Sequence, residues 1–487
     1  MNNKIENEHI FKLSTFMLAH CTLCILCCET IIPYTMNKLP SSVRSSLIDK
    51  ALTGKKRQWS LKSLAAMSKA QPPSNETSDN SSGTSISWNN STKRRPGPSS
   101  SVADTLLSDV NIRLAGQHKK CLDMIEQISG KTASALEKPV TNTTGPKIIR
   151  AVNQPVQGVS FKEWIDGSQK VESAKGTILR SLNDLEMLHA DTFSITEHLL
   201  SNDKPTIKRF SNADQSVLAA TFEQVRTRHA STVENMADIV LLMRSLKNID
   251  HGMKFDDQLV DNFLRDRLGT QLLCDHYVGL SKGKAGGGIS VNCKFKDVLT
   301  DAILESKHVC DANYGIAPEV HILDDNLGNY EITLIRPWVD YILCELLKNG
   351  MTSSVQKASS EGKSAMPPDM FVRIHHNESQ EMLVCEILDQ GIGINETGLE
   401  RAFMFAESSS QRRWDRIDEQ QSYAMVTQPI TSLGVGLSLS QMMAQMFGGS
   451  VQLENRMVDI DHSNVRIGKG CSSTVYLSTF DETECDV

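Results

Sequence analysis

From about residue 103 to 281 apolar residues return every three or four positions over long runs with few breakers. "SAKGTILRSLNDLEMLHADTFSITEHLL" (173–200), "ADQSVLAATFEQVRTRHASTVENMADIVLLMRSL" (213–246) and "DDQLVDNFLRDRLGTQLLCDHYVGL" (256–280) each give several turns of helix with one apolar stripe. Helices of that length joined by short breaks predict a bundle of four-helix type. The run "SKGKAGGGIS" (281–290) predicts a flexible interruption, and the pattern then changes. "MFVRIHH" (370–376), "EMLVCEILD" (381–389), "SVQLEN" (450–455) and "STVYLS" (473–478) are short β-rich runs, with helical patterns at 336–350 and 436–447. The expected architecture is a helical domain over 103–290, then an α/β domain over 291–480 with one mixed sheet covered by helices, and a short tail at 481–487.

The first 102 residues read as a targeting or disordered segment. Residues 13–28 are apolar and uncharged, but short of the ~20 residues a bilayer span requires, so no stable span is expected in the mature protein. "CTLCILCC" (21–28) sits in an apolar run and does not read as a metal cluster. From Met36 the text becomes basic and Ser-rich, with Lys38, Arg44, Lys50, Lys55, Lys56, Arg57, Lys62 and Lys69 facing one acid, Asp49. That is the composition of an organelle presequence, while 71–101 reads as a linker. An apolar stretch ahead of a transit-like one also permits a two-step route into a complex plastid. The net charge of −7 argues against a nucleic-acid partner, and the scattered cysteines read as reduced thiols.

Chemistry gathers in the second half. On the helix "YILCELLKNGM" (341–351), Glu345, Lys348 and Asn349 stand at i, i+3 and i+4 and share one face opposite an apolar stripe. For an arbitrary helix that is a solvated face with one ion pair. Downstream, a strand runs into "DQGIGI" (389–394), where Asp389 stands at the strand end ahead of Gly391 and Gly393. "LGVGLSLSQMMAQMFGG" (433–449) then opens an amphipathic helix with Gly434 and Gly436, and exposed amides at such a helix start suit phosphate oxygens. Gly468 and Gly470 precede the last strand. A P-loop is excluded, since no G-x-x-x-x-G-K-[ST] occurs, and the H-R-D and D-F-G elements of eukaryotic protein kinases are absent.

This succession resembles the GHKL (Bergerat) ATP-binding fold of histidine kinases, the Hsp90 chaperone and type II topoisomerases. With "DYILCELLKNGM" (340–351), "KHVCDANYGIAPEVHI" (307–322), "DRLGTQLLCDHYVGL" (266–280) and "VRTRHASTVENMA" (225–237), residues 160–480 are similar to the mitochondrial α-ketoacid dehydrogenase kinases. The wording is nearest the branched-chain member, with the pyruvate dehydrogenase kinases next. The resemblance implies ATP and Mg²⁺ as cofactors. It implies Glu345 as general base on a serine hydroxyl, Asn349 as the Mg²⁺ ligand, and Lys348 beside the triphosphate. Asp389 would accept from the adenine amino group, with Gly391 and Gly393 shaping that wall. Leu433, Gly434, Val435, Gly436 and Leu437 would form the phosphate loop, and 395–433 a lid with Ser409 and Ser410 as its nucleotide contacts.

The same resemblance implies partners and place: the E1 component and lipoyl-bearing E2 core of an α-ketoacid dehydrogenase complex, a homodimer, and the mitochondrial matrix. This sequence departs from the family at Tyr341 (commonly His), Thr352 (Arg), Ser432–Leu433 (Gly–aromatic) and Cys471 (Thr), and it lacks the Trp-containing tail. Branched-chain E1 is the expected substrate and pyruvate E1 the alternative. A nucleotide-binding pseudokinase on the core is the alternative of another class. A two-component sensor kinase would need a phospho-accepting histidine, for which His229 is the candidate.

Overall fold

The computed structural model describes residues 41–67, 99–130, 168–201, 212–247, 256–323, 330–362, 366–377, 379–407, 434–460 and 466–479. The first layer is helical: α1 (Ser41–Leu52), α2 (Leu61–Ala66), α3 (Ser100–Ser129), α4 (Ser168–Ser201), α5 (Asn212–Arg228), α6 (Thr232–Lys247) and α7 (Asp257–Ser281). Helix α3 is the centre of this domain, packing on both α4 and α7. Its apolar stripe, including Leu106, Val110 and Leu114, meets Phe193 of α4, Phe222 of α5 and Phe263 of α7 in one core. Each such side chain withdrawn from water stabilises the fold by about 1.5–3 kcal/mol.

Two readings of this half are corrected. Residues 213–246 were expected as one helix, but the chain breaks at His229–Ser231 between α5 and α6. The signal was present, since Ser231-Thr-Val-Glu234 has the S-x-x-E spacing of a helix start. The glycine run after α7 is a compact turn, with Gly286 and Gly287 at φ +78° and +62° and the Gly288 amide donating to His276 Nδ1 at 3.1 Å.

The larger correction concerns the first hundred residues. Residues 46–67 are packed against the bundle, with Ile48, Trp59, Leu61 and Leu64 in its core. Trp59 Nε1 donates to Asp109 at 2.9 Å, and the Arg57 amide donates to the same carboxylate at 3.1 Å. Arg113 Nε reaches Asp109 at 3.1 Å, both side chains being 1% exposed. The Lys56 and Lys120 ammonium groups both pair with the buried Asp266. Charges that looked like presequence charge are therefore partly counter-ions for two buried acids. Ser60 caps α2 in a reciprocal box with Ser63. The apolar run 13–28 with its cysteines, residues 71–98 of the linker, and the tail 481–487 lie outside the described residues.

The second layer follows: β1 (Ser290–Lys294), α8 (Phe295–Tyr314), β2 (Val320–Ile322), β3 (Glu331–Leu334), α9 (Arg336–Glu361), β4 (Met370–Asn377), β5 (Met382–Leu388), α10 (Glu396–Arg401), α11 (Gly436–Gln445), β6 (Ser450–Arg456), β7 (Asp459–Ile460), β8 (Arg466–Ile467) and β9 (Gly470–Ser478). Five strands form one mixed sheet in the order β2-β4-β5-β9-β6, with only β2 and β4 parallel. Helices α8, α9 and α11 cover one face, joining Leu299, Leu343, Leu347 and Met351 to Val372, Cys385, Ile387 and Val475. Strands β1 and β3 pair separately, which the sequence reading did not anticipate. The helical domain and mixed sheet give the expected α plus α/β class. Among the described residues no helix is long and apolar enough to cross a membrane, and all seven cysteines are free.

Removing residues 1–67 should lower thermal stability markedly. The core would lose Ile48, Trp59, Leu61 and Leu64, each worth about 1.5–3 kcal/mol, and Asp109 its Trp59 and Arg57 donors. Calorimetric unfolding of the truncated and full chains checks this, and equal melting temperatures would return the segment to the presequence reading.

Candidate functional site

Helix α9 carries the polar patch. Pro337 at its first turn suits a helix start, where the missing N–H has no partner to lose. Its stripe of Val339, Ile342, Leu343, Leu346 and Leu347 is buried, which turns Glu345, Lys348 and Asn349 away from the sheet core. Lys348 Nζ pairs with Glu345, and the two side chains are only 16 and 14% exposed. A solvated face would leave both wet. Asn349 is exposed beside them.

The reason for the shelter is α11. A Cβ on Gly436, the first residue of that helix, would lie 2.1 Å from Glu345 Oε2, so a side chain there would displace the carboxylate. The Glu345 carboxylate thus rests over the helix start where the sequence predicts phosphate. Val435 is the N-cap and is buried, while Leu437 packs against the sheet core. Tyr341, one turn before Glu345, has its phenol pushed above the usual range by burial and then by the Glu345 carboxylate, so it keeps its proton.

One turn further along α9, Gly350 lies against β5, where a Cβ would be 3.3 Å from that of Asp389. Asp389 is 3% exposed. Its Oδ1 accepts from the Gly391 amide at 2.8 Å and the Cys471 amide at 3.3 Å. Burial raises its pKa against the downward pull of those two amides. Cys471 stands where a threonine was expected, and burial, with the Asp389 carboxylate next, pushes its thiol up to about 12.

Several residues that hold this wall were missed from the sequence. Ser353 Oγ accepts from the Ile392 amide at 3.1 Å and lies 2.1 Å from where a Gly391 Cβ would be. Gln390 donates through Nε2 to the Asp369 carbonyl at 2.8 Å and accepts from the Gly468 amide at 2.6 Å. Asn455 holds both backbone groups of Ile394, beside Gly393. Lys357 Nζ donates to the Gln390 carbonyl at 2.7 Å, and Arg456 to that of Asp389 at 2.9 Å. Ser353 was findable, being four residues after Asn349 on the same stripe. Gln390, Asn455 and Arg456 act through backbone groups of distant elements, and no spacing announces that.

The structure therefore brings together Glu345, Lys348, Asn349 and Asp389 with the Gly391, Gly393, Gly434 and Gly436 turns. Ser409, Ser410 and Leu433 lie outside the described residues. His229, the candidate of the sensor-kinase reading, is 1% exposed, with Nε2 2.9 Å from Thr192 Oγ1 and its ring against His189. It is a packed core residue with its pKa well lowered by burial. Among the described residues no set of three or more His, Cys, Asp and Glu converges on a metal position.

The raised Asp389 pKa has a consequence for stability. A carboxyl that holds its proton more tightly folded than unfolded costs stability when ionised, and the cost vanishes as pH falls below the unfolded value of about 3.9. Asp389→Asn, which can still accept both amides, should melt at or above wild type at pH 7. The difference should shrink on acidification. A large loss of stability at pH 7 would mean that the charge itself holds the turn.

Residues 336–481 match the family model for the histidine kinase-, DNA gyrase B- and HSP90-like ATPases, and residues 13–296 match that for mitochondrial branched-chain alpha-ketoacid dehydrogenase kinase. The mitochondrial pyruvate dehydrogenase (acetyl-transferring) kinase of Arabidopsis thaliana is 26% identical over 257 residues, 51% of this chain and 66% of its own length. Isozyme 4 from Mus musculus is 25% identical over 295 residues, 58% of this chain and 65% of its own. Isozyme 1 from Homo sapiens is 23% identical over 247 residues, 48% and 54% of the two chains. The chain spans between about half and two thirds of the length of these curated relatives. With the second match covering more than half of it, the chain belongs to the family of mitochondrial α-ketoacid dehydrogenase kinases.

Proposed function

We propose that the chain is an ATP-dependent protein serine kinase acting on the E1 component of an α-ketoacid dehydrogenase complex. The observation that carries this is the seating of Glu345 against the start of α11, with Asn349 beside it and Asp389, at the end of β5, facing Gly350 of α9. One surface then offers a base, an oxygen ligand, phosphate-binding amides and a buried acceptor for an amino group. The named relatives are pyruvate dehydrogenase kinases, which favours pyruvate E1 over the branched-chain E1 that the sequence wording suggested. Docking on a lipoyl-bearing E2 core, a homodimer and the mitochondrial matrix belong to the same proposal.

The residues support a direct account of the chemistry. A serine hydroxyl is too weak an acid to ionise at neutral pH, so Glu345 takes its proton as the oxygen bonds to the γ-phosphorus. The bond from that phosphorus to the bridging oxygen breaks, and ADP leaves with the electron pair. Amides at the start of α11 and the Lys348 ammonium group hold phosphate oxygens, so Lys348 exchanges Glu345 for the nucleotide. Asn349 would hold Mg²⁺, which when bound offsets charge on the phosphates. Asp389 accepts from the adenine amino group and so prefers adenine to guanine.

Purified pyruvate and branched-chain E1, offered with labelled ATP, test this reading. Pyruvate E1 should take the label faster. Glu345→Gln should lower turnover by about 10²–10⁴-fold, the usual worth of a base, with ATP affinity largely kept. Asn349→Ala should weaken Mg-ATP binding as well as turnover, and Asp389→Asn should weaken ATP binding in a chain that still folds. No transfer to either E1, with Mg-ATP still bound, would support the pseudokinase reading. Equal turnover by wild type and Glu345→Gln would remove Glu345 from the chemistry.

A further inference from the structure

Arg244, near the end of α6 in the helical domain, reaches across to the α/β domain. Its Nη1 donates to the Phe405 carbonyl and lies 3.6 Å from Glu407 Oε2, while Nη2 pairs with Asp257 at 2.7 Å. The Arg244 side chain is 17% exposed. The turn it holds is strained. Ala406 has φ +58°, a left-handed conformation disfavoured once a Cβ is present, and is fully buried in the core shared with the helical domain. Such a conformation persists only where its surroundings over-determine it. The Phe405 carbonyl that Arg244 holds belongs to the peptide entering Ala406.

That turn in turn seats the helix start. Gly434 has φ +67°, and a Cβ on it would lie 2.3 Å from the Glu407 carbonyl oxygen and 2.9 Å from the Glu407 nitrogen. The backbones of 407 and 434 are therefore in direct contact, and two residues later Gly436 opens α11 beneath Glu345. We propose that Arg244 is a positioning residue for the phosphate-binding turn: by fixing Phe405–Glu407 from the helical domain, it keeps Gly434–Gly436 in register with Glu345 and Asn349. This rests on the nucleotide reading above and names the device that sets its phosphate end. Glu407 also pairs with Arg401 of its own domain, so its carboxylate bridges arginines from both domains.

The test compares ligands with and without phosphates, using the full chain. Mg-ATP and adenosine affinities are measured for wild type, Arg244→Met, Arg244→Lys and Glu407→Gln, with melting curves alongside. Losing a charged hydrogen bond at the turn should weaken Mg-ATP about tenfold or more in Arg244→Met. Adenosine, held at the Asp389 end, should change by less than about twofold on the same scale. Arg244→Lys should recover much of the loss. Unchanged Mg-ATP affinity, or equal loss of both ligands, overturns the proposal, because a merely structural role would loosen both ends together. Should Arg244→Met fail to fold, Glu407→Gln carries the same comparison. A wild-type chain that binds neither ligand overturns the nucleotide reading itself, and this proposal with it.

Discussion

Helix α9 lies between two apolar cores, and the arrangement of the site depends on that. Its first turns, with Ile335 just ahead and Trp338, belong to the core of the helical domain. Val339, Ile342, Leu343, Leu346 and Leu347 belong to the core beneath the sheet. A helix wedged in this way has little freedom to rotate or slide, since each residue of slippage would carry apolar side chains out of one core or the other. Glu345, Lys348 and Asn349 occupy the strip left between them. The packing of their neighbours fixes the direction in which they leave the helix, and the Lys348–Glu345 pair then holds two of them.

Against this frame the two ends of the site are built differently. At the Asp389 end a carboxylate is buried and held by backbone amides, with its ionised form disfavoured by burial. At the α11 end a carboxylate and an ammonium group hold each other over a helix start, partly sheltered. The first end bears a standing energetic cost for keeping a carboxylate buried. The second pairs its two charges, and the carboxylate lies at the end of α11 where the helix dipole favours negative charge.

The polar strip of α9 and the glycine turns were legible in the sequence because both obey local rules. Three polar residues at helical spacing opposite a leucine stripe can be read without a structure, as can a strand ending in Asp-x-Gly-x-Gly. What escaped is non-local. Gln390, Asn455 and Arg456 bind backbone groups of other segments, and nothing in their neighbourhoods marks them. The packed part of the N-terminal segment escaped for a different reason. Its lysines and serines have presequence composition, and only the three-dimensional proximity of Asp109 and Asp266 gives them structural work. The break between α5 and α6 was legible and was outvoted by a long apolar periodicity running across it.

The N-terminal segment also sets an order of events during folding. Trp59 must wait for Asp109, fifty residues on, and Lys56 for Asp266, which follows 210 positions later. Contacts so distant along the chain form only after long loops have closed, and such closures slow folding. Until α7 is made, Lys56 has no Asp266 to pair with, and the segment is held only in part. A segment that precedes the bundle helices in the chain is thus fully held only after the last of them has formed, and until then it is open to contacts with other chains.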